Sequence, residues 1–155
     1  MQYLTSNYPE AHLPNFNNGQ LSTVLEECYS SRRPLLIYIH SQDTSDAFIT
    51  DVFGSEVVST ILNQNFVVWA VMNDSNDGRT AAKLLNVASF PIFSVIRVNN
   101  ARLPEVLETM PGETNIGNFI EFLERNLALF DAPHAFSIPQ NSNRYIDSAL
   151  QQERL

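Results

Sequence analysis

Apolar residues recur along this chain in two rhythms, and the changes of rhythm mark its elements. Leu21, Val24, Leu25 and Cys28 stand at i, i+3, i+4 and i+7, which predicts a helix with one buried stripe. PLLIYIH, residues 34–40, is a short unbroken apolar run opened by Pro34. It predicts a strand buried on both faces, with proline tolerated at its first position. Residues 41–54 are polar and then amphipathic. They predict a helix capped by Asp43 or Thr44, with Phe48, Ile49 and Val52 inward and Gly54 as its stop. Ser55 is placed to cap a further helix over EVVSTILNQN, with Val58, Ile61 and Leu62 inward. FVVWAVM, residues 66–72, predicts a second buried strand, NDSNDG (73–78) a loop, and RTAAKLLNV (79–87) a short helix. SFPIFSVIRV (89–98) reads as a strand, Asn99-Asn100 as a turn, and LPEVLETMPG (103–112) as an antiparallel return. The longest helical pattern, over 115–130, carries Ile116, Phe119, Ile120, Phe122, Leu123, Leu127 and Phe130, with Thr114 expected as its N-cap.

At the ends the rhythm fails. Residues 1–18 are rich in Asn and Pro and are expected to be an irregular lead-in. From residue 132 the composition shifts to a linker, with the start of a truncated helix over 141–155. One domain is therefore expected over 19–131. A strand–helix–strand unit followed by helix, hairpin and helix implies an α/β fold with a mixed central sheet of about four strands and helices on both faces. Pro91 sharpens this. Proline in a core strand is allowed only at its first residue, an edge or a bulge, and a cis Phe90–Pro91 bond at the strand entrance meets that constraint.

Composition removes whole classes of function. The chain has 155 residues and a net charge of −8, a field that repels phosphate backbones, so no nucleic acid is expected as a partner. No apolar run approaches the roughly 20 residues of a transmembrane helix. The N-terminus has neither the basic start nor the apolar core of a secretory signal. Lys83 is the one lysine; the other eight basic residues are Arg, the type suited to fixed planar contacts with carboxylates. Cys28 is the one cysteine, so no internal disulfide, CxxC pair or structural zinc site can form. That suits a reducing, cytoplasmic setting. On the buried stripe, Cys28 is expected to be a small core residue.

RPLLIYIH (33–40), NFVVWAVMNDSNDGR (65–79), ASFPIFSVI (88–96) and ETNIGNFIEFLERNL (113–127) together resemble the UAS domain of the Fas-associated factor family of UBX-domain adaptor proteins. The Phe66-x-x-Trp69 strand running into Asp74-Ser75 and Gly78 is the most specific part. The resemblance implies a thioredoxin-like fold within a non-catalytic interaction domain. It implies partners in the ubiquitin pathway, with a valosin-containing AAA ATPase engaged through a UBX domain that is not in this chain. It implies a role in ER-associated degradation, at the cytosolic face of the endoplasmic reticulum or of lipid droplets. Some family members bind long-chain unsaturated fatty acids and self-associate, so a fatty-acid sensor is the alternative. A thioredoxin-like enzyme of unusual chemistry is the third.

Candidate chemistry is sparse. Thioredoxin exchange needs a Cys at the start of the helix after the first long strand, but HSQDTSDAFI (40–49) has none. Ser41 and Ser45 have only His40 as a neighbouring base, which is weak support for a nucleophile. His12, His40 and His134 are scattered, and Asp43, Asp46, Asp51, Asp74 and Asp77 lack calcium-loop spacing, so no metal and no cofactor are expected. Binding surfaces remain. Pro91 and, with a cis bond before it, the backbone of Ile92 would face a peptide groove, opposite Gln42–Asp46. The basic pairs Arg32-Arg33 and Arg97/Arg102 are suited to a carboxylate of a fatty acid or an acidic peptide.

Overall fold

A computed structural model describes residues 1–132. Its elements are α1 (Gln2–Asn7), α2 (Leu21–Ser31), β1 (Leu35–His40), a π-helical segment (Phe48–Phe53), α3 (Glu56–Asn65), β2 (Val67–Met72), α4 (Asn76–Leu85), β3 (Ile92–Val98), β4 (Pro104–Pro111) and α5 (Ile116–Asp131). The strands form one sheet in the order β2-β1-β3-β4. β1 runs parallel to β2 and antiparallel to β3, which runs antiparallel to β4. A bulge at Leu107 lets Val95 face Glu108 and Ile96 face Val106. The Phe90–Pro91 bond is cis.

The unbroken apolar strands are explained by two cores. Leu36, Tyr38, Val68, Phe93 and Val95 point to the face covered by α1, the π-helical segment, α3 and α5. Leu35, Ile37, Ile39, Trp69 and Ile96 point to the face covered by α2 and α4. All six residues of β1 are buried, because successive side chains feed opposite cores. On the first face the rings of Tyr38, Phe53 and Phe119 surround Phe93, at centroid distances of 4.6, 5.2 and 4.6 Å. Such contacts add to the area buried.

Several expected boundaries move. The lead-in is not irregular: it holds α1, Leu4 is fully buried, and Phe16 forms a parallel bridge to Val68 on the outer edge of β2. Asn17 N–H donates to Val68 O at 2.8 Å, and Trp69 Nε1–H donates to Gly19 O at 2.9 Å. The apolar residues there are spaced without a period because each answers to a different tertiary neighbour. The helix after β1 is capped by Ser45, whose Oγ accepts from Phe48 N–H, rather than by Asp43 or Thr44. Half of the expected 73–78 loop is helix: Ser75 Oγ accepts from Gly78 N–H and starts α4 at Asn76. Asn115, not Thr114, caps α5 through Asn118 N–H. Polar runs that read as loop are thus first turns, where such side chains satisfy free N–H groups. The linker and truncated helix expected beyond Ala132 lie outside the described residues.

Candidate functional site

Two places can be built from these elements. The first is the carboxyl end of β1, beside Pro91. His40 ends β1 and is 1% exposed. Its Nδ1 lies 2.7 Å from Tyr38 Oη, and its ring packs against Tyr3 of α1 at 5.4 Å. Burial lowers the His40 pKa below its ordinary value. Ser45 starts the helical turn that leads into the π-helical segment, where free N–H groups attract an anion. That anion is internal. Glu113, from the β4–α5 connection, accepts from Ser45 N–H at 2.8 Å and from Ser45 Oγ–H at 2.7 Å. Tyr8 Oη–H donates to Asp46 at 2.6 Å, which ties the lead-in over the same end of the sheet.

Pro91 and Ile92, expected at a groove, stand at the entrance of β3. Both side chains are buried, Ile92 to 1% exposure. The reason is register. Ile92 pairs with Ile39 on one side and Pro111 on the other, and Pro91 O accepts from Gly112 N–H at 2.8 Å. Cys28 lies in the opposite core, 2% exposed, and burial pushes its thiol up to about 12, with Glu27 adding to the shift.

The second place is a cleft of about 590 Å³ between the end of α2, the β3–β4 hairpin and the end of α5. It gathers three of the four arginines singled out in the sequence: Arg32, Arg97 and Arg102. Arg97 is clamped. Its Nε and Nη2 donate to Glu105 at 3.1 and 3.0 Å, and its Nη1 donates to Leu129 O at 3.2 Å. Arg102 stands 4.7 Å over the Tyr29 ring and 3.3 Å from Glu26. Arg33 goes elsewhere. Its Nη2 donates to Asn63 O at 2.8 Å beside a separate polar cavity lined by Asn15 and Glu27. Arg32 adopts a left-handed conformation (φ 56°) that ends α2, and this turn sends the two neighbours to different surfaces.

Sequence reasoning missed Glu113, Tyr8 and Tyr29. Glu113 and Ser45 are 68 positions apart, so no local pattern joins them. Tyr29 gave one signal: it follows Cys28, off the buried stripe, one turn before Arg32. Among the described residues no cluster of His, Cys, Asp and Glu could hold a metal ion.

The sequence model of the family described as Fas-associated factor 1 matches residues 1–125. This chain belongs to the Fas-associated factor family. The match takes in the lead-in, in keeping with its packed structure. Relatives in the family include FAS-associated factor 2 of Rattus norvegicus, 26% identical over 108 residues covering 68% of this chain and 31% of that protein. FAS-associated factor 1 of Homo sapiens is 23% identical over 172 residues, covering 97% of this chain and 26% of its own length. The chain thus spans about a quarter to a third of these relatives. Among solved structures it is similar to a thioredoxin from Thermus thermophilus, with TM-score 0.65, 22% identity, and coverage of 77% and 91% of the two chains. A DsbH oxidoreductase gives TM-score 0.58 at 14% identity, covering 76% and 88%. This Fas-associated factor domain has a thioredoxin-like fold.

Proposed function

We propose that this domain is a non-catalytic protein-interaction module of a ubiquitin-pathway adaptor. The observation that supports this best is Glu113 on Ser45. A thioredoxin-like fold places its reactive thiolate where the helix after the first central strand begins, because free N–H groups there stabilise the anion. Here that segment has no Cys, and a carboxylate of the same chain takes the N–H. Cys28 is in the wrong core and is held in the thiol form. The fold therefore supplies a rigid frame whose outer surface is free to bind. In the adaptor, client capture belongs to this domain, and contact with a valosin-containing AAA ATPase belongs to a UBX domain outside residues 1–155.

Insulin reduction with dithiothreitol as electron source tests the reading. The expected rate is that of dithiothreitol alone, for the parent and for Cys28→Ser alike. A thioredoxin-like rate in the parent would overturn it, whether or not Cys28→Ser abolishes that rate.

A further inference from the structure

We propose that the cleft carrying Arg32, Arg97 and Arg102 is a receptor for a short acidic segment of a partner protein; this rests on reading the domain as a binding module. Charge is the first ground. The chain as a whole carries −8, yet this cleft gathers three guanidinium groups; Glu105 and Glu26 pair with Arg97 and Arg102, Asp131 lines the cleft, and Arg32 forms no ion pair among the described residues. Backbone conformation is the second. Among the described residues three non-glycine residues have positive φ: Arg32 (56°), Asn86 (57°) and Arg102 (61°). Asn is a residue that tolerates this region; Arg is not. Gly or Asn would make both turns with less strain. Arg stands at both, and both line the same cleft. Arg at two left-handed turns that line one cleft points to a use for those side chains.

Preparation of the donors is the third ground. Arg97 is held by Glu105 and Leu129 O with its side chain 18% exposed, so it forms a fixed floor. Arg102 is braced against the Tyr29 ring and is 60% exposed despite its contact with Glu26. Arg32 is exposed and forms no ion pair among the described residues. Its planar fork matches a carboxylate through two parallel hydrogen bonds. Val98 and Phe130 form an apolar wall beside these donors, suited to a side chain next to the acidic residue. A long acyl chain would find only that short wall and the Tyr29 ring for cover.

The test uses the whole 155-residue protein. Arrayed short labelled peptides pair Glu or Asp with one Phe, Leu or Tyr, and each has a twin carrying Gln or Asn instead. Anisotropy titration should show saturable binding of acidic peptides, weakening with added salt, and at least about tenfold weaker binding of the twins. Arg32→Asn and Arg102→Asn should each weaken binding by about tenfold. Because Asn accepts positive φ, both variants should melt no lower than the parent, which separates lost binding from lost fold. Equal affinity for the twins, unchanged affinity in both variants, or no binding across the array would overturn the proposal. Oleate bound below its micellar range and released by the same substitutions, with no peptide bound, would overturn it in favour of a lipid carboxylate. Insulin reduction is read on the same samples: peptide failure without reductase activity removes this assignment and leaves the module reading standing.

Discussion

Gly78 offers a test in which local and tertiary physics predict opposite signs. It sits in the first turn of α4. Taken as a helix residue, Gly78→Ala should stabilise the domain by up to ~1 kcal/mol, since glycine is a poor helix former. The structure disagrees. A Cβ at Gly78 would overlap the carbonyl oxygen of Met72, lie 2.9 Å from the Met72 carbonyl carbon and 3.1 Å from Ser75 Oγ. These are backbone and cap atoms, so no flexible side chain can yield. Relief requires the first turn of α4 to move off the end of β2. Overpacking of this kind costs ~1–3 kcal/mol. The movement also breaks the Ser75 cap, which accepts from Gly78 N–H at 2.9 Å and donates to Met72 O at 2.7 Å, at a further ~1 kcal/mol. Set against the propensity gain, the net loss is about 2 kcal/mol, or about 8 °C in melting temperature for a domain of this size. Gly117→Ala is the control. Its Cβ would meet only Asn115 Oδ1, at 3.5 Å, an ordinary contact. There the propensity gain stands alone, and melting should rise by about 2–4 °C. Thermal melts followed by circular dichroism decide the matter. If Gly78→Ala melts at or above the parent, the reasoning from close approach of α4 to β2 is wrong.

Glu113→Ala should lower stability by about 1 kcal/mol through loss of both Ser45 hydrogen bonds, and Glu113→Gln by about half of that; equal urea midpoints for all three proteins would contradict the geometry. Cys28, with its thiol pushed up to about 12, should stay unreactive to Ellman's reagent in the native state and titrate as one equivalent only in denaturant. Stability should fall on acidification in two stages. Burial lowers the folded His40 pKa below 6.5, so the unfolded chain takes up that proton first and the loss begins as pH drops through about 6.5. The hydrogen bond from Arg125 lowers the Glu108 carboxyl below 4.5, so its contribution, present above about 4.5, is lost as pH falls further. Urea midpoints measured across pH check both signs, and His40→Gln should flatten the upper stage alone.

The sequence by itself determined the strands, the sheet class and the lack of a cysteine pair. It could do so because each rests on local or compositional facts. A strand buried on both faces needs an unbroken apolar run, as in LLIYIH; a proline in a strand must stand at its entrance, on an edge or at a bulge; and a chain with one cysteine on a helix stripe cannot run a dithiol cycle. Only the tertiary structure decided what closes the carboxyl end of β1 and which arginines meet. Leu4, Tyr8 and Phe16 carry no period, since each packs against a different distant element. Glu113 reaches Ser45 across 68 positions because β4, antiparallel to β3, returns the chain to the end of β1. Arg32 and Arg33 are adjacent in sequence, yet a single left-handed turn parts them, while the β3–β4 hairpin and the end of α5 carry Arg97, Arg102 and Phe130 to Arg32. Side-chain chemistry is written residue by residue. Which side chains share a cleft is set by long-range packing, and that packing appears only once the chain is folded.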